Sequence, residues 1–197
     1  MARYKGSRIK VIRRLGILPG FTSKSTTRLS NEFTNSKSLS QYAFHLQEKQ
    51  KLRYNYGISE QELIKYVRKA KKRKGNTGNL LLQLLESRLD SLIYKSGLTP
   101  TINSARQLIS HGHVSINKRK VNIPGFHCSL TTEIEINKTS IKNLNSDLSS
   151  ISNQNLSFLS LKENENNIVI LVNNPPDINF INFPINILLV LEYYSGK

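Results

Sequence analysis

Between residues 88 and 123 the sequence reads RLDSLIYKSGLTPTINSARQLISHGHVSINKRKVNI. With the apolar positions set aside, one polar set remains. Arg106, Gln107, Ser110, His111, Gly112 and His113 lie close in sequence, and Asn117, Lys118, Arg119 and Lys120 follow at once. Arg88 and Lys95 can approach from just upstream. Guanidinium forks and amide donors suit phosphates, and imidazole faces suit unstacked bases. A solvated face would need one charged helix; several donors converging on one turn, in a chain this basic, point to RNA binding. A metal site from His111, His113, His127 and Cys128 is conceivable on paper. A His-x-His pair across a helix-ending glycine is a weak signal for one, and no metal or other cofactor is expected.

The elements that must hold this set can be read from the apolar residues between them. Leu89, Leu92 and Ile93 make a helical stripe, Gly97 ends it, and Pro100 bars its return. Thr101 or Asn103 caps a second helix with Ala105, Leu108 and Ile109 on its inner face. Arg106 and Ser110 then share the outer face, with Gln107 beside them and His113 just past the Gly112 turn. Arg106 is expected to be exposed and to matter little for stability. Val114–Ile116 reads as a strand, Asn117–Lys120 as a polar turn, and Val121–Ile123 as the return strand. Residues 124–136 continue as strands, with Ile134 and Ile136 alternating with Glu133 and Glu135.

Upstream, residues 1–20 form a basic arm in which Arg3, Lys5, Arg8, Lys10, Arg13 and Arg14 interleave with Tyr4, Ile9, Val11 and Ile12. Residues 21–38 are polar and aperiodic. A helix over 39–56 ends in the basic and aromatic side chains of Lys49, Lys51, Arg53, Tyr54 and Tyr56, and at least one of these tyrosines is expected in the core. Ser59-Glu60-Gln61-Glu62 is a capping box. The helix that follows buries Leu63, Tyr66, Val67 and Ala70 and turns Lys65, Arg68 and Lys69 outward, with Lys71, Lys72, Arg73 and Lys74 at its end. One or two cations would satisfy its dipole, and the rest ask for phosphates. Gly75-Asn76-Thr77-Gly78 is a turn suited to close approach of an RNA backbone, so Asn76 and Thr77 join the candidates. Its glycine spacing is wrong for a P-loop. A leucine-rich helix from Leu80 leads into the central stretch.

Downstream, residues 137–167 are a Ser/Asn-rich, weakly periodic expansion. Ile168–Val172 reads as a strand, 173–184 as a proline-containing loop, and Ile187–Tyr194 as a buried strand.

The chain has 197 residues and a net charge of +16. Residues 1–80 carry 19 basic and 4 acidic side chains, whereas 121–197 carry 4 and 7. A polyanionic partner is therefore expected, and its contacts belong in the first 120 residues. A membrane surface is a weaker candidate for that polyanion, because no run of 18 apolar residues or signal-type apolar core is present. With Cys128 the only cysteine, an internal disulfide is excluded.

The residues also resemble a known family. R-L-D, S-G-L, A-R-Q-L-I-x-H-G-H-V-x-I-N and K-V-N-I-P, in this order, resemble the RNA-binding domain of the fourth small-subunit ribosomal protein. That module also occurs in RNA-modifying enzymes and some aminoacyl-tRNA synthetases, so the flanks decide. QEKQKLRYNYG, KYVRKAKKRKGNTG, LLQLLESRLD, the opening twenty residues and the ending ILLVLEYYSGK are similar to the plastid and bacterial ribosomal protein. The resemblance covers roughly residues 1–20, 39–136 and 185–195. It implies a non-enzymatic, structural protein of the small ribosomal subunit, most simply plastid-encoded and in the stroma, with the bacterial cytoplasm second. The shortage of alanine against asparagine, isoleucine and lysine fits an AT-biased organelle genome. It further implies early binding of small-subunit rRNA at a multi-helix junction, seeding of assembly, contact with neighbouring small-subunit proteins and a place where mRNA enters, with influence on translational accuracy. Some bacterial relatives carry an N-terminal zinc-binding cysteine cluster, which is absent here.

The expected fold is α+β: a basic arm and loop over 1–38, a helical rRNA-binding domain over 39–87, and an α+β RNA-binding module over 88–197. In that module two helices pack on a short, mostly antiparallel sheet, with the expansion at 137–167 and the last strand near 187–194. The alternative is an enzyme, since Arg88-Leu89-Asp90 is similar to the R-L-D catalytic motif of pseudouridine synthases. There a Thr-Ser-Gly follows after two residues; here Ser96-Gly97 follows after five, and no segment is left for a catalytic domain. Asp90 is expected instead to pair with a nearby base or to fix its helix.

Overall fold

The computed structural model describes residues 4, 6–24, 40–141, 158–176 and 181–195. In chain order its helices are α1 (Arg8–Leu15), α2 (Gln41–Asn55), α3 (Glu60–Lys71), α4 (Thr77–Glu86), α5 (Leu89–Lys95), α6 (Ile102–Ser110) and α7 (Ile187–Tyr193). Its strands are β1 (Val114–Ile116), β2 (Arg119–Lys120), β3 (Glu133–Asn137), β4 (Leu159–Glu163) and β5 (Asn167–Val172). The chain divides into two units, Met1–Leu81 with Ile181–Lys197, and Leu82–Phe180, the division falling inside α4.

The first unit is helical. The apolar residues of the basic arm find a home in α1, where Val11, Ile12 and Leu15 are buried, as are Leu18 and Phe21 beyond it. The Gly20 amide donates to the buried Asn55 Oδ1 at 2.9 Å, which ties this segment to α2. Local signals fix the helix starts. Ser40 accepts from the Ala43 amide, the Ser59–Glu62 capping box is fully formed on α3, and Asn76 Oδ1 accepts from the Gly78 amide at 3.0 Å.

The C-terminal run is where the sequence reading fails. ILLVLEYY was expected as a buried strand and forms helix α7 instead. A short apolar run does not by itself distinguish the two. Asn186 caps the helix through the Leu188 amide at 3.1 Å. Val190 and Tyr194, four residues apart, go inside while Leu188 and Glu192 face out, which is helical spacing. The helix also belongs to the first unit rather than to the α+β module.

Glu60 gathers this unit. Its carboxylate accepts from the Tyr194 hydroxyl at 2.6 Å and from Lys49 Nζ at 3.1 Å. Lys49 also stands 4.3 Å from the Tyr193 ring centre, a cation–π contact. Lys71 Nζ donates to the Tyr194 carbonyl at 3.1 Å. Burial pushes the Glu60 carboxyl up, but the hydrogen bonds from Tyr194 and Lys49 and the charges of Lys49 and Arg53 together hold it below the usual range. Burial, then the Glu60 carboxylate, push the Tyr194 hydroxyl the other way.

The second unit is a five-stranded antiparallel sheet, order β2-β1-β3-β5-β4, with α5 and α6 packed on it. Val114, Ile116, Ile134, Ile136, Ile168, Ile170 and Val172 alternate inward to meet Leu89, Leu92, Ile93, Ala105 and Ile109. Leu108 is only partly buried against this core. The capping choice left open in the sequence falls to Thr101, whose hydroxyl accepts from the Ser104 amide at 3.2 Å. The sheet differs from the sequence-based expectation at three places. The turn after β1 is two residues, so the return strand is Arg119–Lys120 rather than Val121–Ile123. Between 124 and 132 there is no strand, only an isolated bridge of His127 to Arg88. The 137–167 expansion supplies an edge strand, β4, which pairs with β5; residues 142–157 of it lie outside the described residues.

The Glu60 cluster makes a pH prediction. A carboxyl lowered by folding adds stability that is present above its ordinary value near 4.5 and is lost as the pH falls through its folded value. Denaturant midpoints of Glu60→Gln should therefore fall less steeply with acid over that window than those of the wild type. Parallel curves would contradict the assignment.

Candidate nucleic-acid interface

The second unit's polar set is built on the end of α6. The His111 amide donates to Gln107, Gly112 to Ile109 and His113 to Leu108, with Gly112 at φ 75°. This is a Schellman closure, which needs the left-handed residue that glycine supplies. The Cε and Nζ end of the Lys120 side chain lies in the space that a Cβ at Gly112 would enter. The Lys120 ammonium thus reaches the helix end, where a lysine suits the negative end of the dipole. Gln107, Ser110, His111, Asn117, Lys118, Arg119 and Lys120 are exposed; Gly112 and His113 are half-buried. The His111 and His113 ring centroids are 6.2 Å apart. Of the predicted cluster, His111 and His113 lie side by side and Lys120 reaches Gly112.

The tip itself has an unusual backbone. Asn117 and Lys118 have φ of 47° and 65°, the signature of a type I′ turn. Asn117 is doubly held: its amide donates to the Glu133 carbonyl at 3.0 Å, and its Oδ1 accepts from the Glu133 amide at 3.1 Å. Asparagine tolerates this conformation, but for lysine it costs roughly 1–2 kcal/mol.

Arg106 stands apart from this exposed set. It is largely buried, its side chain 13% exposed, and its Nε donates to Asp90 Oδ2 at 2.8 Å. Arg88 takes the same carboxylate from the other side, Nε to Oδ1 at 3.0 Å and Nη2 to Oδ2 at 2.9 Å. Asp90 is 1% exposed and Arg88 is 2% exposed. The carbonyls of Phe126 and Pro124 accept the Leu89 and Asp90 amides, filling two positions that a helix start leaves open. The expectation that Arg88 approaches RNA and that Arg106 is dispensable for stability is therefore corrected: both neutralise a buried carboxylate. Lys95 is likewise internal, 3.6 Å from Glu86, whose other oxygen accepts from Ser91 at 2.7 Å. No motif singles out Glu86; its one signal in the sequence is a lone carboxylate inside a leucine-rich helix.

In the first unit Arg8, Lys10, Arg13, Arg14, Lys65, Arg68, Lys69, Lys72, Arg73, Lys74 and Asn76 are exposed, and Thr77 is half-buried. Tyr4 is 45% exposed, edge-on to Tyr54, whose ring also meets Phe21. Arg53 lies over the Tyr54 ring, 5.2 Å from its centre. Three candidates turn away from any partner: Tyr56 is core, Lys49 is held by Glu60 and Tyr193, and Lys71, though exposed, donates to the Tyr194 carbonyl. Arg3 and Lys5 lie outside the described residues.

The metal reading gains nothing from the geometry. Cys128 is part of the core, and burial, then the Asp90 charge, push its thiol up to about 12. Among the described residues no group of three potential ligands is gathered. Nor is any described helix long and apolar enough to cross a membrane.

Two family models match end to end: the ribosomal protein S4/S9 N-terminal domain over residues 3–86 and the S4 domain over 87–134. A small ribosomal subunit protein uS4c from Bigelowiella natans is 62% identical over 197 residues, all of both chains. The chain belongs to the uS4c family of small ribosomal subunit proteins. Its similarity to the uS4c proteins of Chlorokybus atmophyticus, 48% over 99% of this chain and 98% of that one, and of Marchantia polymorpha, 47% over the whole of both, is of the same kind. The uS4c family is structural, not enzymatic. The pseudouridine-synthase alternative is not supported, and the geometry agrees: both oxygens of Asp90 are occupied by guanidiniums.

The buried triad yields a stability prediction. Asp90→Asn removes the charge that two guanidiniums need, and breaking such a buried pair costs about 3–5 kcal/mol. Arg106→Ala should cost about 1–3 kcal/mol, the range for hydrogen bonds to charged groups. Urea unfolding followed by circular dichroism measures both; an Arg106→Ala protein as stable as wild type would contradict the pairing.

Proposed function

We propose that this chain is a structural constituent of a plastid small ribosomal subunit that binds small-subunit rRNA through two basic surfaces. One runs along α3 and its C-terminal end; the other is the α6 end with the β1–β2 hairpin. The observation that carries the reading is that Arg68, Lys69, Lys72, Arg73 and Lys74 stand exposed together with no carboxylate partner among the described residues. Cations that could have been neutralised within the fold have been left out of it, and a polyanion is the ligand that such a surface suits. Family membership supplies the identity of the polyanion: the uS4c relatives are named as small-subunit proteins.

The finer reading follows the family resemblance. The chain binds its rRNA early, at a multi-helix junction, and seeds assembly in the plastid stroma. It contacts neighbouring small-subunit proteins where mRNA enters and so influences decoding accuracy. No metal or cofactor has a part in this role.

Salt dependence tests the reading. Alanine at Lys72, Arg73 and Lys74 together should weaken binding to a plastid small-subunit rRNA transcript. It should also lower the log–log salt slope by about 0.7–0.9 for each phosphate that is no longer neutralised. An unchanged slope would place this cluster away from RNA.

A further inference from the structure

The β1–β2 register pairs Ser115 with Lys120 and Ile116 with Arg119, which leaves a two-residue turn. Such a turn wants a positive φ at both positions, and its second position favours glycine most strongly. Here that position is Lys118, at φ 65°. A lysine in this conformation is strained, and strain of this kind persists only where the surroundings over-determine it. The surroundings do so: Asn117 is bonded to both backbone groups of Glu133, and β1 is paired on both sides, by β2 and β3. The fold therefore holds the turn whatever side chain stands at its tip.

The lysine side chain gives the fold nothing to offset that strain. It is exposed and makes no hydrogen bond or ion pair among the described residues. Its neighbours are used otherwise, Asn117 as the bracket to β3 and Lys120 with its side-chain end against Gly112. Lys118 is thus a cation placed, at a backbone cost, at the tip of the β1–β2 hairpin.

We infer that Lys118 is a phosphate-binding residue, and that the strained type I′ turn serves to project its ammonium onto a nucleic-acid backbone. This rests on the RNA-binding reading above and adds the contact class, a phosphate rather than a base, together with the conflict it entails. A lysine ammonium is a point charge with no planar fork, so it positions without reading sequence. Binding and stability must then move in opposite directions at this one residue.

The test uses the full chain, a plastid small-subunit rRNA transcript and an unrelated structured RNA as the second probe. Lys118→Gly should raise the unfolding midpoint, because glycine adopts this backbone without strain. It should also lower the log–log salt slope by about 0.7–0.9, a loss of about five- to eightfold in affinity at 0.1 M salt, on both RNAs. Lys118→Asn should show the same loss of slope with a smaller gain in stability, and Lys118→Arg should keep the slope. If Lys118→Gly binds with wild-type slope while the wild type shows strong salt dependence, the inference falls and the RNA-binding reading stands. A slope reduced on one RNA alone would mean base-specific recognition and would overturn the phosphate assignment. If the wild type itself has no salt-dependent affinity for either RNA, the RNA-binding reading falls first.

Discussion

Asp90 is buried to 1% exposure between two guanidiniums, Arg88 and Arg106, at 2.8–3.0 Å. A carboxylate in that position is costly unless it is paired and hydrogen-bonded, and so is each arginine. The pairing joins the first helix of the α+β module to the second, since Arg88 precedes α5, Asp90 lies in its first turn and Arg106 is on α6. The Pro124–Cys128 segment is fastened to the same point through amides and carbonyls on either side of Arg88. The placement of α6, and with it the Schellman turn and the hairpin beside it, depends on this one arrangement of three charges.

The fold sorts a strongly basic chain into two populations of cations. Lys49, Arg88 and Lys95 are turned inward and matched to Glu60, Asp90 and Glu86, and Arg106 is mostly so. Lys72, Arg73 and Lys74 after α3, and Lys118, Arg119 and Lys120 around the β1–β2 tip, are exposed and keep their charge available. Acidic residues are few, and three of them are used where they hold helices together. A surface with uncompensated positive charge follows from that distribution, and it is also what binding to rRNA requires.

Much of this was legible in the sequence because its causes are local. The capping box at Ser59–Glu62, the Gly97 and Gly112 stops, the apolar periods of α3 to α6 and the alternation in β3 each depend on residues within a few positions of one another. What was misread depends on distant partners. Lys49 looks like a surface cation until Glu60 and Tyr193 are beside it, and Arg106 looks exposed until Asp90, sixteen residues earlier, is placed against it. The run ILLVLEYY carries no local sign that Tyr194 will meet Glu60, so its helical spacing was hidden by its uniform hydrophobicity. At the hairpin the reverse held: Asn117-Lys118 lacks the glycine that announces a two-residue turn, and the pairing to β3 imposes it anyway.

Residence of the chain in a small ribosomal subunit, held by its basic surfaces, is tested most directly by sedimentation of plastid lysate through a high-salt sucrose cushion, with the chain followed by immunoblot. The chain is expected to stay with the small subunit after loosely held proteins have been stripped: salt weakens each phosphate contact, but contacts spread over two folded basic surfaces must be released together. Release into the supernatant at salt concentrations that leave the other small-subunit proteins bound, or recovery with another particle, would contradict it.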